Sequence, residues 1–333
     1  MSLPEHEIIH WGKLLFERRL ISGWGGNLSC RAGNERFLIT AQHAPLGFLT
    51  PNHVVQIDRA GKPINPEHRA SSETPMHLAI YAGTEAQAIV HVHPPLVLAF
   101  SLAHQTFTPI SFEEKYTIGA VPVVAQDTPT VTRPEQVVEE LKYRPVVILQ
   151  GHGTVAIGDT LQDAFLLTDL LEEAVRCQYF RTIAGSPGGR LLRDNDSAEA
   201  QPERRAGEGY ELFSQAHLEA LVEIANCDSD FRAAGHETGL TTSLTLSLDE
   251  AGCAWTVKFA DGEITGLEES DSGVFRIAAK AEWWKAVFAN RIDPFLATQQ
   301  KKLRLERGEL AAMSRWYKPF QRAFALWQTI PVL

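Results

Sequence analysis

Apolar residues recur at helical spacing through IIHWGKLLFERRLI, residues 8–21, and predict an amphipathic opening helix. Gly23 is placed to stop that helix in a left-handed conformation. NLSCRAG and ERFLIT alternate as two strands of a hairpin turning at Gly33-Asn34, and VVQID and KPI suggest another about Gly61. Ser71-Ser72-Glu73-Thr74-Pro75 reads as a helix start, with MHLAIYAG continuing it. AIVHVH is a short strand ended by Pro94-Pro95, and PVVILQ is a second buried strand. LQDAFLLTDLLEEAVRCQYFRTIA predicts a long helix with an apolar face at Leu166, Leu167, Leu170, Leu171 and Ala174.

The pattern then breaks. Residues 185–207 are rich in Gly, Pro, Ser and charge without periodicity, and read as a linker between a domain over 1–184 and one over 208–333. The second half predicts a helix in YELFSQAHLEALVEIAN and strands in SLTLSL, WTVKFA, EITGLEE and FRIAAKA, with a tight turn at Asp261-Gly262. Helices follow in EWWKAVFAN and DPFLATQQ, then a strand in KKLRLERG and one closing helix over 309–328. A length of 333 residues suits two domains.

Charge and cysteine content narrow the function classes. The 31 basic and 41 acidic residues give a net charge of −10, which argues against a nucleic-acid binder or a polybasic lipid anchor. Four scattered cysteines form no metal motif and no disulfide framework. MSLPEHEIIH lacks the pattern of a secretory signal, and no apolar run is long enough for a membrane span. The expected compartment is the cytoplasm.

The chemistry concentrates on Glu73, His91, His93 and His152. His91 and His93 stand two apart in a strand, so both imidazoles project to one face. His152 lies between two glycines just past another strand. Three neutral imidazoles bind Zn²⁺ and leave a fourth position open, which Glu73 is placed to fill at rest. An H-x-H pair alone is more often structural; three imidazoles also accept Mn²⁺, Co²⁺ or Fe²⁺. His43, His53, His77, His104, His217 and His236 sit in no comparable arrangement and read as surface or core residues. Gly25-Gly26-Asn27-Leu28-Ser29 offers either an anion nest or a helix C-cap. Ser71 and Ser72 offer either an anion site at a helix N-terminus or an N-cap. Trp255, Trp283, Trp284, Trp316 and Trp327, with Phe288, Phe320 and Phe324, form an ordinary core or line an apolar cavity.

These residues give the first half, over most of 7–183, a resemblance to the class II aldolase and adducin family. Its carriers are Gly26-Asn27-Leu28-Ser29, Ser71-Ser72-Glu73 followed by His77, His91-Val92-His93-Pro94-Pro95, and Gly151-His152-Gly153 with Gly158. The resemblance implies an α/β three-layer sandwich around a mostly antiparallel sheet, assembled as a homotetramer. It implies that His91, His93 and His152 bind zinc and that Glu73 is the catalytic acid/base. Tyr116 enters by analogy with an interface tyrosine of the family, with Glu113 or Glu114 in its place otherwise. Asn27, Ser29, Ser71 and Ser72 are carried over as substrate- and anion-binding residues. The family's Thr-Pro-Ser/Thr-Gly loop reads Thr40-Ala41-Gln42-His43 here, so His43 replaces the glycine that lets a phosphate approach. Residues 208–328 resemble the sterol-carrier-protein type of lipid-transfer domain, a smaller α+β fold, by element order alone.

The expectation is therefore a lyase: a zinc-dependent aldolase acting through an enolate on a non-phosphorylated or hydrophobic aldehyde or ketone, with a possible lipid ligand in the second domain. Its rivals are a sugar-phosphate 4-epimerase, a dehydratase on the same scaffold, and a non-catalytic adducin-like or lipid-carrier protein.

Overall fold

The structure, a computed structural model, describes residues 4–33, 35–126, 128, 130–185, 209–250 and 252–333. It divides into two compact units, Met1–Leu192 and Arg193–Leu333. Apart from Gly185, which closes a helix, the expected linker lies outside the described residues, as does Asn34 of the first expected hairpin turn.

The first unit runs α1 (Pro4–Glu17), β1 (Asn27–Arg31), β2 (Arg36–Thr40), β3 (Val54–Asp58), α2 (Thr74–Gly83), β4 (Ala88–Val92) and α3 (Pro95–Ser101). It continues through β5 (Thr106–Phe107), α4 (Phe112–Thr117), β6 (Val121–Val124), α5 (Pro134–Leu141), β7 (Val146–Leu149), β8 (Gly153–Gly158) and α6 (Leu161–Gly185). Eight strands form one sheet in the order β3-β2-β1-β4-β8-β7-β6-β5. Only β6 and β7 pair parallel; the other neighbours are antiparallel.

Alternation along the strands makes two cores. Leu28, Leu38, Ala88, Val90, Val92, Val146 and Ile148 pack with Ile8 and Leu15 of α1, Val97 of α3, and Leu171 and Val175 of α6. Phe37, Ile39, Val55, Ile57, Ile89 and Val147 pack with Met76 and Ile80 of α2 and Val137 and Leu141 of α5. The unit is thus the expected α/β/α sandwich. His91 follows Ile89 by two residues, so its side chain shares the α2/α5 face.

The stop of α1 differs from the expected one. The left-handed residue is Arg19 (φ 60°), and the helix ends at Glu17. The Leu20 N–H donates to the Leu15 carbonyl at 2.9 Å, and both side chains are buried. This is a Schellman closure sealed by its hydrophobic pair. Burying Leu20 against Leu15 fixes the turn four residues before Gly23, whatever residue stands at the left-handed position.

The second unit, taken by itself, runs α7 (Gln215–Cys227), α8 (Ser229–Glu237), β9 (Thr242–Leu248), β10 (Ala254–Ala260), β11 (Glu263–Glu269) and β12 (Phe275–Ala279). It ends α9 (Ala281–Phe288), α10 (Pro294–Gln299), β13 (Arg304–Arg307), α11 (Leu310–Ser314) and α12 (Tyr317–Trp327). Its sheet has the order β11-β10-β9-β12-β13, with β9 and β12 parallel. Asp261 (φ 49°) and Gly262 (φ 84°) make the two-residue turn with both centres left-handed. The expected closing helix is two helices. Pro319 cannot donate to the Arg315 carbonyl and its ring would collide with it, so the helix restarts at Tyr317. No described helix is long and apolar enough to cross a membrane.

Arg19→Gly removes the steric cost of a left-handed Cβ while keeping the Schellman bonds. The variant is expected to be more stable by about 1 kcal/mol, read as a small rise in melting temperature. A fall in melting temperature would mean that the Arg19 side chain, and not the turn, holds the helix end.

Candidate active site

Strand β4 sits between β1 and β8. His91 is the Cα partner of Asn27 on one side and of Val155 on the other, and Val92 pairs with Thr154. The imidazole of His91 is buried, and its Nδ1 bonds the Thr154 carbonyl at 2.9 Å. A carbonyl only accepts, so Nδ1 carries the proton and Nε2 presents a lone pair. His93 Nε2 lies 3.3 Å from that atom. His152, at the turn between β7 and β8, brings its ring to 4.8 Å from His91 and 4.9 Å from His93, centroid to centroid. Ligand nitrogens of the three lie within 4.8 Å of one another.

Backbone without side chains makes this convergence possible. A Cβ on Gly153 would stand 2.2 Å from the Val92 carbonyl oxygen and 2.7 Å from His93 Cδ2. A Cβ on Gly25 would stand 2.7 Å from His93 Nδ1, and one on Gly26 (φ 76°) 2.7 Å from the His91 carbonyl oxygen. Gly25 and Gly26 therefore do not cap α1; they let the chain lie against the histidine strand. Glu172, buried on α6, accepts from the Leu96 and Val97 N–H groups at 3.2 and 3.0 Å. It holds the first turn of α3, which begins two residues past His93.

Burial sets the electrostatics. Desolvation, then the neighbouring rings of His93 and His152, push the His91 pKa well below the usual histidine value. Desolvation and His152 push His93 down to about 4, and desolvation lowers His152. The three imidazoles are thus neutral ligands near neutral pH. His152 Nδ1 is buried with no hydrogen-bond partner among the described residues. Two facing Nε2 atoms, a third ring and an orphaned nitrogen fit a divalent cation better than they fit a hydrogen-bonded core.

The other expected residues fall in three groups. Glu73, the N-cap residue of α2, is buried, and burial raises its carboxyl above the usual range against one opposing bond from the Val131 N–H at 3.3 Å. Ser71 donates its N–H to the Thr40 carbonyl and its Oγ accepts from the Glu73 N–H at 3.2 Å, so it shapes the helix start; Ser72 is exposed beside it. Asn27 and Ser29 are buried on β1 in contact with His77. His43 is exposed in the loop after β2 with a left-handed backbone (φ 60°), and Tyr116 is half-buried on α4, which packs on α6. The three histidines come together without either of these two. The sequence counts His77 among the carriers of the resemblance but gives it no role, and does not point to Glu172; the signal for His77 is its place four residues after Glu73.

In the second unit Trp284, Trp316 and Trp327 belong to the core, whereas Trp283 is half-buried and Trp255 lines a cavity of about 280 Å³ with Val222 and Leu267. Trp284 and Trp327 are fully buried and donate Nε1–H to the Ser247 and Leu221 carbonyls. A separate apolar crevice of about 20 Å³ lies among Ile277, Phe295, Leu303, Leu305, Met313 and Phe324.

The family model for the Class II Aldolase and Adducin N-terminal domain matches residues 6–179, and the chain belongs to that family. It is 31% identical over 175 residues to an L-fuculose phosphate aldolase of Methanococcus maripaludis, covering 52% of this chain and 94% of that one. It is 31% identical over 196 residues to a 3,4-dihydroxyphthalate decarboxylase of Terrabacter sp., covering 54% and 82%. The crystal structure of L-fuculose-1-phosphate aldolase from Thermus thermophilus superimposes with a TM-score of 0.52 at 29% identity, over 56% of this chain and 98% of that one. The first unit carries a lyase-type active site.

Two outcomes follow. Gly153→Ala is expected to lose metal binding and several kcal/mol of stability, since backbone and not a flexible side chain blocks the added carbon; retained metal by elemental analysis would refute this. The pH dependence has a definite sign. The unfolded chain takes up these protons near pH 6.5, whereas folded His93 holds out to about 4 and His77 to about 3. The stability they contribute is full above pH 6.5 and falls below it, by up to about 1.4 kcal/mol per pH unit for each such group. The melting temperature should drop from pH 7 to pH 5.

Proposed function

We propose that the chain is a metal-dependent aldolase that cleaves and forms a C–C bond next to a carbonyl. The observation that carries this reading is the convergence of three neutral imidazoles at the end of the sheet where α2 begins with a buried carboxyl. His91, His93 and His152 would hold the ion, zinc by preference among Zn²⁺, Mn²⁺, Co²⁺ and Fe²⁺. Bound there, it supplies Lewis-acid stabilisation of the enolate that receives the electron pair of the breaking bond. Glu73, whose carboxyl burial raises above its usual range, delivers a proton to the nucleophilic carbon in cleavage and takes it back in synthesis. The hydroxyl that becomes the aldehyde gives up its proton to a second group, for which Tyr116 is our assignment. Asn27, Ser71, Ser72 and His43 would face the substrate, with Ser29 behind Asn27.

His43 favours a substrate without phosphate. Where the resemblance places glycine, this loop carries an exposed imidazole. A carboxylated substrate also suits this loop, and the identity with a decarboxylase supports loss of CO₂ as a second reading of the same site. In the second unit the element order supports an acyl or sterol-like ligand, in the manner of sterol carrier proteins, and the apolar crevice is the place for it. At about 20 Å³ it admits one only if α10 and α11 part. Saturable binding of a fluorescent fatty acid to the full chain is the expected result, and its absence ends that reading. A homotetramer in the cytoplasm completes the proposal.

The decisive assay incubates the zinc-loaded chain with L-fuculose 1-phosphate, its unphosphorylated counterpart and 4-hydroxy-2-oxo acids bearing apolar tails. Aldehyde and CO₂ are measured separately. Aldehyde from the unphosphorylated compounds is expected. His93→Ala should lose the metal and all turnover. Glu73→Gln should keep the metal and lose on the order of 10²-fold or more in kcat. CO₂ without aldehyde would replace the aldolase by the decarboxylase, and neither product would sink both.

A further inference from the structure

A second set of buried polar groups lies directly behind the histidines. His77 Nε2 is 2.5 Å from Asn27 Oδ1, and His77 Nδ1 is 2.6 Å from Ser29 Oγ. Ser29 Oγ is in turn 2.7 Å from the Tyr81 hydroxyl. All four residues are 5% exposed or less. Arg31 clamps the far end, with its guanidinium 4.9 Å from the Tyr81 ring centroid and its Nη2 donating to the Tyr81 carbonyl at 2.6 Å. The near end is Asn27, paired directly with His91 across β1 and β4. Directly opposed residues in an antiparallel pair put their side chains on the same face, about 5 Å apart at Cβ. The Asn27 amide therefore lies beside the ligand imidazole.

The chain of bonds can run in only two directions, and counting protons chooses between them. Buried His77 is neutral, with one ring proton. In one direction, Asn27 turns its amide nitrogen to His77 Nε2, Nδ1–H donates to Ser29, and Ser29 donates to Tyr81. The Tyr81 O–H is then a buried donor, and among the described residues it has no other partner. In the other direction, Tyr81 donates to Ser29, Ser29 donates to His77 Nδ1, and His77 Nε2–H donates to Asn27 Oδ1. Every hydroxyl and ring proton is then used. Each direction leaves a donor unmade, and the difference is where it lies. In the first it is the Tyr81 hydroxyl at the inner end of the chain. In the second it is the Asn27 N–H₂, which is not among the fully buried unpartnered atoms and lies on the His91 side, where a substrate or water can satisfy it, so the second direction holds. Its consequence is local. The Asn27 oxygen is occupied, and the amide nitrogen, with no bond among the described residues, is left as a donor beside His91.

We propose that His77 is a positioning residue which, through Ser29 and Tyr81, holds Asn27 with its N–H₂ toward the substrate, so that Asn27 donates to the anionic oxygen that forms beside the three histidines. The inference rests on the metal-dependent reading above and deepens it. A donor fixed before the charge develops stabilises that charge without reorganising. His77 is chosen over a second amide because its ring relays one orientation from the tyrosine to the asparagine.

The test has two readouts on the full chain. Nitrogen-15 spectra of histidine-labelled protein at pH 7.5, with His77→Gln used to assign the signal, should show His77 as the Nε2–H tautomer; the Nδ1–H tautomer overturns the inference. Oxalate, a dianion with the oxygens of a two-carbon enolate, is then titrated into zinc-loaded protein by calorimetry. His77→Leu should bind it about tenfold more weakly or worse with zinc content unchanged. His77→Gln, whose amide reaches the Nε2 position, should recover most of that loss, and Asn27→Asp, which replaces the donor by a negative acceptor, should lose binding. Equal oxalate affinity in wild type and His77→Leu overturns the inference and leaves the metal site standing. Failure of the wild type to take up zinc overturns the site reading itself and the donor role with it. Should His77→Leu not fold, the tautomer and the Gln and Asp variants still decide.

Discussion

The site depends on one constraint, the hydrogen-bonded position of β4 between β1 and β8. Pairing on both sides fixes the height of every β4 residue in the sheet. That height sets His91 against Asn27 and within reach of the Thr154 carbonyl, and that carbonyl selects which imidazole nitrogen is free. A slip of one residue would send His91 and His93 to the α1/α6 core and bring Val90 and Val92 to the site. The hydrophobic alternation Ala88, Val90, Val92 against Ile89 prevents that slip, since the first three are wanted under α6 and the last under α2. The chemistry is therefore registered by the packing of aliphatic residues that never touch a substrate.

Burial then acts on acid and base alike. The same desolvation that lowers the pKa of the histidines raises that of Glu73, because in each case the neutral form is the cheaper one to bury. Neutral imidazoles need release no proton to bind a cation, and a carboxyl raised above its usual range is a better base than an ordinary one. Proximity to a cation would pull Glu73 the other way, so occupancy of the histidines and the charge of Glu73 are linked. Gly25, Gly26 and Gly153 and the Glu172 cap belong to this design too. They let backbone close over the histidine strand and exclude water without placing a side chain where the ion would sit.

Much of this was legible in the sequence, for reasons that can be named. The H-x-H spacing, the flanking glycines at His152 and the start signals of α2 are local, and each element they predict is present. The hairpin at Asp261-Gly262 was legible because two successive left-handed residues admit few alternatives. Other features answer to contacts distant in sequence or to a single residue within a pattern. Arg19 adopts a left-handed backbone because Leu20 seeks Leu15, and Pro319 breaks a helix whose apolar periodicity runs straight through it. Strand β8 and helices α3, α4, α5 and α8 are short, and their pattern alone does not separate them from loops. His77 read as an ordinary core histidine because its partners, Asn27 and Ser29, lie 50 and 48 residues away on another element. Nothing in its neighbourhood of the chain announces a relay.

On the proposed reading, His43 would change the preference of a family site with little change of fold. The loop after β2 remains tied to the segment before α2, through the Gln42 N–H to the Arg69 carbonyl and the bridge between Ala41 and Ala70. The backbone at His43 is left-handed, the conformation for which glycine is the default, at a cost on the order of 1 kcal/mol for a residue with a Cβ. The turn has thus been kept while the side chain was exchanged. A bare turn offers N–H groups to a tetrahedral dianion that comes close; a turn carrying an imidazole excludes that approach and substitutes a planar donor. The strain persists because the paired loop segments determine the backbone from both ends, so the side chain was free to alter without the fold following it. In the proposed reading the scaffold and the hydrogen-bonded chain behind Asn27 would serve the bond being broken, whereas this one exposed loop would face another part of the substrate.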